Sequence, residues 1–344
     1  MRAALPASGS GETSRRLRTR IYATAAFNPP TVACDVVPVT TSDGIRLRVH
    51  AYGPADGDVL VLIHGWSCCI EYWNPQINAS AGTYRVIAYD LRGHGESELG
   101  DAALTVDLLV DDLVAVLAAT LRPGRRAVLV GHSLGGMLVQ AWAGSYPEQV
   151  PRCASAVLLA NTAAGDLVTE TTVLPPFNRG WLKLPRWLAR AVSGSSAPIR
   201  RNAVTKWLFR HRILSPAASA DAVDFVMAIT KSCPGAARSK TGLLLTDLEL
   251  GRSAVDLTVP TTLTAGAYDH LIPVTQAERL AEMLREAGTF QKLVVLPTGH
   301  TGTLEAHEEF NTALAEVLAT NAVRGTSAAQ AKPAALRDTP DSNP

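Results

Sequence analysis

Short, almost wholly apolar runs recur along the chain, and longer stretches of mixed apolar and polar residues separate them. Runs of this kind predict buried strands of a mostly parallel sheet, because helices on both of its faces exclude water. The mixed stretches predict those flanking helices. The sequence therefore predicts an α/β fold, with strands at residues 45–51, 58–63, 84–88, 127–130, 156–160, 261–266 and 292–296.

The alternation of strands and helices stops near the middle of the chain, where residues 166–247 predict helices alone. We therefore expect an α/β core of residues 38–165 and 248–321, interrupted by an inserted helical segment. Residues 1–37 predict a flexible N-terminal segment, and residues 322–344, rich in Ala, Ser, Pro and Asp, predict a disordered tail. The helices predicted in the insertion cover residues 176–192, 198–214 and 216–233.

The pentapeptide Gly-His-Ser-Leu-Gly at residues 131–135 lies between a predicted strand and a predicted helix. Glycine at both ends permits a turn too sharp for larger side chains, and the turn lifts Ser133 above the sheet. There the free N–H groups and the dipole of the following helix favour negative charge. This context indicates a catalytic nucleophile rather than an ordinary turn between a strand and a helix.

A serine hydroxyl is a poor nucleophile at neutral pH and needs a general base, usually a histidine that a carboxylate orients. Asp269 and His300 each follow one of the last two predicted strands, as Ser133 follows an earlier one. Because the carboxyl ends of parallel strands open on one edge of a sheet, we expect the three side chains to meet there. His307, inside a predicted helix, is the weaker candidate for the base.

A pair of backbone donors for an oxyanion is also predicted. The loop after the strand at 58–63 begins with His-Gly-Trp, and Gly65 allows the backbone to turn the N–H of Trp66 toward Ser133. The second donor is expected to be the N–H of Leu134, the residue after the nucleophile. Two such donors stabilise the oxyanion of a tetrahedral intermediate.

Four motifs occur in order along the chain: HGW at residues 64–66, DLRGHGES at 90–97, GHSLG at 131–135 and GH at 299–300. Together they resemble the motifs of the α/β-hydrolase fold superfamily, in its serine-nucleophile, esterase- and lipase-like branch. The resemblance covers roughly residues 38–320, and its most specific motif is D-x-R-G-x-G-x-S. We expect the glycines of that motif to form a turn and Arg92 to hold it in place.

The resemblance implies the chain order serine, acid, histidine, which Ser133, Asp269 and His300 follow. Glu71 and Asp90 precede the serine, so they fit the role of the acid less well. The haloalkane dehalogenases and epoxide hydrolases of the superfamily carry aspartate at the turn that holds the nucleophile. A serine at position 133 therefore argues against both of these activities.

The resemblance also implies that the inserted segment forms a cap over the site. Its basic and aromatic residues favour an apolar tunnel for an acyl chain, or attraction to an anionic membrane or substrate, with a merely solvated face as the alternative. We expect Trp181, Trp187 and His132 to contact the substrate. Residues 171–220 hold no acidic residue but carry Arg179, Lys183, Arg186, Arg190, Arg200, Arg201, Lys206, Arg210 and Arg212, with Phe177, Trp181, Trp187, Trp207 and Phe209.

Composition excludes several other classes. A formal net charge of +1 does not suggest nucleic-acid binding, and no apolar run is long enough to predict a transmembrane helix. The 5 cysteines are scattered, which predicts reduced thiols in a cytoplasmic protein, although a vicinal disulfide between Cys68 and Cys69 stays an alternative. No His or Cys cluster has metal-ligand spacing, and the predicted chemistry needs no cofactor.

The predicted function is that of a serine hydrolase cleaving a carboxylic ester with a substantial apolar part. The expected partner is this small ester or lipid-like substrate, and the basic insertion predicts peripheral membrane contact. A carbon–carbon bond hydrolase or lyase, or a cofactor-free haloperoxidase-like enzyme, is the alternative on the same fold. A non-catalytic ligand-binding receptor of this fold is the alternative from another class.

Overall fold

The computed structural model describes residues 17–174, 177–178, 181–200 and 202–330, with side chains as far as residue 320. Its strands are β1 (Cys34–Thr40), β2 (Arg46–Tyr52), β3 (Val59–Ile63), β4 (Arg85–Tyr89), β5 (Ala127–His132), β6 (Ala154–Ala160), β7 (Thr261–Gly266) and β8 (Phe290–Leu296). They form one 8-stranded sheet in the order β1-β2-β4-β3-β5-β6-β7-β8. The pairings of β2 with β1 and β4 are antiparallel, and all later pairings are parallel. The predicted mostly parallel α/β sheet is confirmed.

Helices pack on both faces of this sheet, so its central strands are buried along their whole length. The helices are α1 (Asn74–Ser80), α2 (Val106–Thr120), α3 (Leu134–Ser145), α4 (Val150–Cys153), α5 (Leu167–Glu170), α6 (Arg186–Ser193), α7 (Ala203–Leu208), α8 (Ala220–Ser232), α9 (Gly235–Asp247), α10 (Val274–Glu286), α11 (Gly302–Glu305) and α12 (His307–Gln330). The predicted tail from residue 322 thus begins inside α12, and residues 331–344 lie outside the described residues.

Alternate residues of each strand enter two separate cores, one on each face of the sheet. Val61 and Leu129 pack in the core that contains Trp142 of α3. Their neighbours Leu60 and Val130 point to the other face, into the core that contains Phe225 of α8. Each buried side chain of this size contributes about 1.5–3 kcal/mol relative to an exposed one. Burial on both faces is what the continuous apolar runs of the sequence encode.

The first described residues differ from the flexible segment predicted for residues 1–37. Phe27 stacks on Phe225 with ring centroids 4.9 Å apart, and Tyr22 meets Phe225 edge to face. The backbone N–H of Thr24 donates to the Asp221 carboxylate at 2.7 Å. The two ring contacts bury Tyr22 and Phe27 against α8, so this part of the segment predicted to be flexible is packed on the protein. Residues 1–16 lie outside the described residues.

The segment between β6 and β7 is helical, as predicted, but its helices are shorter. The first long helix, α6, starts only after Pro185, and α7 passes into a single π-helical turn at Phe209–Ile213. Proline disfavours helical backbone at the residue before it, which shortens helices that hydrophobic periodicity alone would extend. Pro176, the first residue of the first predicted helix, and Pro175 before it lie outside the described residues.

Candidate active site

Ser133 occupies the sharp turn between β5 and α3. Its backbone has φ 53° and ψ −120°, a conformation that is strained for a residue with a side chain. A Cβ on Gly135 would lie 2.1 Å from the carbonyl oxygen of Ile63, and one on Gly131 would lie 2.6 Å from Gly136 Cα. Glycine is therefore required at both flanking positions, because the turn is pressed against β3 and the start of α3.

His300 and Asp269 reach Ser133 from the loops after β8 and β7. His300 Nε2 lies 3.0 Å from the Ser133 hydroxyl oxygen, and His300 Nδ1 lies 2.8 Å from Asp269 Oδ2. Because a carboxylate can only accept, the proton of the ring sits on Nδ1 and leaves the lone pair of Nε2 facing the hydroxyl. The structure thus brings together the three residues that the sequence singled out.

Asp269 is held by four hydrogen-bond donors. Its Oδ1 accepts the backbone N–H groups of Leu271 at 2.9 Å and Ile272 at 2.8 Å. Its Oδ2 accepts from His300 and also from the side-chain amide of Asn161, at 3.1 Å. No sequence motif marks Asn161, although it follows β6 as the other site residues follow their strands. That position in the topology was the available signal.

His132 supports the histidine loop from beneath. Its Nε2 lies 2.9 Å from the backbone carbonyl oxygen of His300 and must donate, since a carbonyl only accepts. Its ring stacks on Tyr72 with centroids 4.7 Å apart. Burial holds the pKa of His132 well below its usual range, so the ring stays neutral. The sequence predicts substrate contact for His132, but the structure buries the ring behind the site.

The loop after β3 lies directly against Ser133. A Cβ on Gly65 would be 2.9 Å from Ser133 Cβ and 3.0 Å from His132 Nδ1, so this backbone approaches closely only because residue 65 is glycine. Among the described residues, no hydrogen bond occupies the backbone N–H of Trp66 or of Leu134. Leu134 is also the first residue of α3, where a helix leaves its N–H groups free.

The inserted segment contacts both loops of the site. The backbone N–H of His300 donates to the carbonyl of Ile213 at 2.6 Å, and the indole N–H of Trp66 donates to the carbonyl of Arg238 at 2.8 Å. Ser133 and His300 are only 6% and 5% exposed beneath these contacts. The insertion is therefore hydrogen-bonded to the loops of His300 and Trp66, and low exposure strengthens the electrostatic interactions among the buried residues.

The two tryptophans predicted to bind substrate lie elsewhere. Trp181 is 91% exposed and Trp187 is 70% exposed, and both project from the outer surface of the insertion. Aromatic residues on an amphipathic helix are compatible with a tunnel lining or with an outward face, and sequence alone does not separate the two. The expectation of substrate contact for Trp181 and Trp187 therefore does not agree with this structure.

The alternative acids and the alternative base are engaged in other contacts. Glu71 and Asp90 form a buried ion-pair cluster with Arg48, at 2.7 and 3.1 Å. The ring of His307 lies 5.7 Å from that of Phe27. None of these groups touches Ser133. All 5 cysteines are free thiols, so Cys68 and Cys69 do not form the vicinal disulfide.

Arg92 holds the loop after β4, as the sequence predicts. Its guanidinium forms two-pronged ion pairs with the carboxylates of Asp112 and Asp43, with closest distances of 2.7 Å to each. The Arg92 side chain is fully buried by these contacts. A guanidinium with its donors paired in this way fixes the loop that runs behind the site.

A comparison with known families decides the classification. Residues 60–313 match the model of the alpha/beta hydrolase family, which covers most of the chain. The chain belongs to the alpha/beta hydrolase family. No helix of this hydrolase, within the described residues, is long and apolar enough to cross a membrane. No group of three or more His, Cys, Asp or Glu side chains in the same residues is arranged to hold a metal ion.

Individual relatives of the hydrolase carry several activities in their names. It is 32% identical over 298 residues to a Variovorax paradoxus protein provisionally named as the carbamate hydrolase RutD, covering 82% of this chain and 99% of the relative. It is 26% identical to 3-oxoadipate enol-lactonase 2 of Acinetobacter baylyi, covering 81% and 95% of the two chains. The solved structure of a thermophilic esterase from Thermogutta terrifontis matches its fold with a TM-score of 0.66 at 22% identity, covering 83% and 99%.

Proposed function

We propose that this hydrolase cleaves carboxylic esters that have a substantial apolar part, with Ser133 as nucleophile, His300 as general base and Asp269 as the orienting acid. One observation carries the proposal. The chain of contacts from Asp269 Oδ2 through His300 to the Ser133 hydroxyl, 2.8 and 3.0 Å long, is the relay that a serine nucleophile requires. The relatives named as an esterase and an enol-lactonase, whose names both denote ester-type substrates, are consistent with it.

The protonation pattern of the relay sets the first chemical step. With its proton held on Nδ1 by Asp269, His300 has only Nε2 free to accept the hydroxyl proton as Ser133 Oγ attacks the ester carbonyl. The imidazolium that forms is stabilised by the Asp269 carboxylate. It then protonates the leaving alcohol, and an acyl group remains on Ser133 Oγ.

The second half of the reaction repeats the first with water. His300 Nε2 accepts a proton from the water that attacks the acyl carbonyl, and Ser133 regains its proton as the acid leaves. In both halves the oxyanion would accept from the backbone N–H groups of Trp66 and Leu134. Each such donor is worth about 3–4 kcal/mol in the transition state. The chemistry uses only groups of the protein and water.

Carbamate hydrolysis is the second candidate, because the provisionally named carbamate hydrolase shares 32% identity over nearly its whole length. A carbamate presents the same carbonyl to the same nucleophile, but its nitrogen donates electrons into that carbonyl and makes attack slower. The discriminating quantity is therefore the ratio of kcat/KM for an ester and for a carbamate that share the same leaving alcohol.

The exposed surface of the insertion is the basis for a second proposal, which concerns membrane contact. We propose that Trp181 and Trp187, together with the basic residues beside them, contact an anionic membrane surface and that the insertion acts as a cap between that surface and the site. Indole rings favour the membrane interface, and cationic side chains are attracted to anionic headgroups.

The free thiols, including the exposed Cys34, are consistent with a reducing cytoplasm.

A labelling experiment tests the ester-hydrolase proposal. A fluorophosphonate probe is expected to modify the full-length protein once, at Ser133, and p-nitrophenyl esters of increasing acyl length are expected to turn over. The Ser133→Ala variant should show neither reaction at an unchanged melting temperature. Labelling at another residue, or a folded protein that neither labels nor turns over any ester, would overturn the proposal and favour a binding protein of this fold.

A further inference from the structure

One buried amide joins the loop of the acid to the loop of the base. Asn161 follows the last residue of β6 and is 2% exposed. Its side-chain Nδ2 lies 3.1 Å from Asp269 Oδ2 and 3.1 Å from the backbone carbonyl oxygen of Gly299. Gly299 directly precedes His300, so the amide touches both partners of the imidazole.

The orientation of this amide is fixed by its neighbours. Both groups at Nδ2, a carboxylate oxygen and a carbonyl oxygen, can only accept, and the amide nitrogen has two protons to donate. Turned the other way, the amide would place its own oxygen against two acceptors. The Asn161 Oδ1 instead faces Gly302, where a Cβ would lie 3.0 Å away, and it has no hydrogen-bond partner among the described residues.

The backbone of Asn161 is also committed to this position. Its N–H donates to the carbonyl of Thr264 on β7 at 2.8 Å, and its φ is 45°. Asparagine and glycine adopt positive φ more readily than other residues, whereas a branched or long side chain does so at a cost. Position 161 thus combines an unusual backbone conformation with a side chain that uses both of its donors.

We propose that Asn161 is a positioning residue. It sets the distance between the His300 ring and the Asp269 carboxylate and, through it, the proton affinity of the imidazole. The proposal rests on the proposed function and refines it. One donor supplies the fourth hydrogen bond to the Asp269 carboxylate and fixes its plane. The other donor anchors the His300 backbone at Gly299. A shift of either loop would lengthen the 3.0 Å contact between His300 Nε2 and Ser133.

Two variants distinguish the effect of the Asn161 side-chain amide from that of the backbone conformation at this position. Asn161→Gly removes both donors but accepts the positive φ, and we expect kcat on a short neutral ester to fall about 10–100-fold with KM changed less than about 3-fold. Asn161→Asp keeps the shape but sets a second carboxylate against Asp269. The added negative charge favours the imidazolium, so the acidic limb of the kcat/KM profile should move about one pH unit higher.

A second readout does not depend on turnover. The low-field proton resonance of His300 Nδ1–H, in protein with ¹⁵N-labelled histidine, reports the pair directly and can be titrated. The titratable groups that face His300 are Asp269, the neutral His132 and, through the Gly299 N–H, Glu305. If the parent protein neither labels nor hydrolyses esters, the proposed function fails, while the shift of this resonance in the Asn161 variants still decides the role of Asn161.

The control is Asn74→Ala. Asn74 is likewise 2% exposed, and its amide donates to the carbonyl of Phe27 at 2.9 Å. This variant should lower the melting temperature but leave the His300 titration and the pH profile unchanged. If Asn161→Gly does not fold, Asn161→Asp and Gly302→Ala, whose methyl group would press on Asn161 Oδ1, supply the test. Folded Asn161 variants with the titration and kcat of the parent would overturn the proposal.

Discussion

The hydroxyl oxygen of Ser133 lies 3.0 Å from Nε2 of His300, although 167 residues separate the two in the chain. The contact forms because β5 and β8 run parallel in one sheet, so the loops that follow them open on the same edge. It places the lone pair of Nε2 within hydrogen-bond distance of the Ser133 hydroxyl, as a serine nucleophile would require. Of the two candidate bases, His300 is the one beside the serine, whereas His307 lies beside Phe27.

Replacing either partner of this contact should abolish ester hydrolysis. We expect Ser133→Ala and His300→Ala each to lower kcat by several orders of magnitude, and the double variant to be no worse, because the residues act as a unit. Steady-state kinetics on p-nitrophenyl butyrate measure the loss. His307→Ala is the control and should keep parental activity. An active His300→Ala variant would show that another group is the base.

Asp269→Asn should be nearly as damaging, through the protonation of His300. The amide would present N–H groups where Asp269 now accepts from His300, and imidazole would be driven to the form with its proton on Nε2. That form cannot accept from Ser133, so kcat should fall about 100- to 10,000-fold. The measurement is kcat of the Asp269→Asn variant and of the parent on the same ester, taken from neutral to high pH. A loss of less than tenfold at every pH would rule out Asp269 as the orienting acid.

The residues of the site could be predicted because they follow strands that the apolar pattern marks. Ser133, Asp269 and His300 each come after such a strand, and parallel topology then brings them together. Asn161 also follows a strand, but a lone asparagine has no motif to distinguish it from a loop residue. Its role depends on distances between three loops, which only the folded chain defines.

For residues outside the sheet, the sequence does not predict whether a side chain is buried, because packing between distant segments decides it. The aromatic residues of 17–33 find their partner in Phe225, about two hundred residues later, and nothing near them in sequence indicates that contact. Trp187 points outward because the other side of α6 packs inward, with Ala189 buried. Trp181 lies before α6, in a turn that leaves its side chain exposed. The periodicity of a helix predicts that one face is buried but not which neighbour it covers.

Loss of the Arg92 side chain should destabilise the fold strongly. Arg92→Ala leaves the carboxylate of Asp112 buried without its partner, and removing one member of a buried ion pair costs about 3–5 kcal/mol. Urea denaturation measures the change in the free energy of unfolding. The exposed pair between Arg46 and Glu98 is the control, and Arg46→Ala should cost at most about 1 kcal/mol. Equal losses in the two variants would contradict this account of Arg92.

Buried histidines, His64 and His94 among them, should make the fold sensitive to acid. His64 donates from Nδ1 to the Gly65 carbonyl and accepts the Leu91 N–H at Nε2, so it is satisfied only when neutral. Burial lowers the pKa of His64 to about 3 and that of His94 to about 4. Both groups titrate near pH 6.5 in the unfolded chain, which therefore binds more protons below that value.

The contribution of these two histidines to the free energy of unfolding is therefore fully present above about pH 6.5, and it is lost as the pH falls toward 4. At pH 5 each histidine should lower the free energy of unfolding by about 2 kcal/mol relative to pH 7. Each pH unit between the folded and the unfolded pKa of a group is worth about 1.4 kcal/mol. Urea titrations at pH 7, 6 and 5 measure the slope. His94→Gln should flatten that slope whatever its effect on stability at pH 7, and a parental slope in this variant would exclude His94 as a source.

Membrane contact should depend on the indoles and on the unpaired basic residues of the insertion. Arg186 and Arg190 share the carboxylate of Asp247, whereas Lys183 and Arg200 have no ion-pair partner among the described residues. We expect the protein to sediment with vesicles of anionic lipid but not with those of neutral lipid. Binding should weaken as salt rises through about 0.1–0.15 M, where the Debye length is about 8–10 Å.

Matched variants separate this surface from general charge effects. Lys183→Gln/Arg200→Gln and Trp181→Ser/Trp187→Ser should each reduce vesicle binding at least about fivefold, since each basic residue near an anionic surface contributes about 1 kcal/mol. Arg122→Gln/Arg126→Gln removes the same charge from the exposed loop before β5, at the opposite edge of the sheet, and should bind like the parent. Turnover of a short soluble ester should be unchanged in all three variants. If the loop variant loses as much binding as the others, or if no variant loses any, the insertion is a solvated surface and no membrane face.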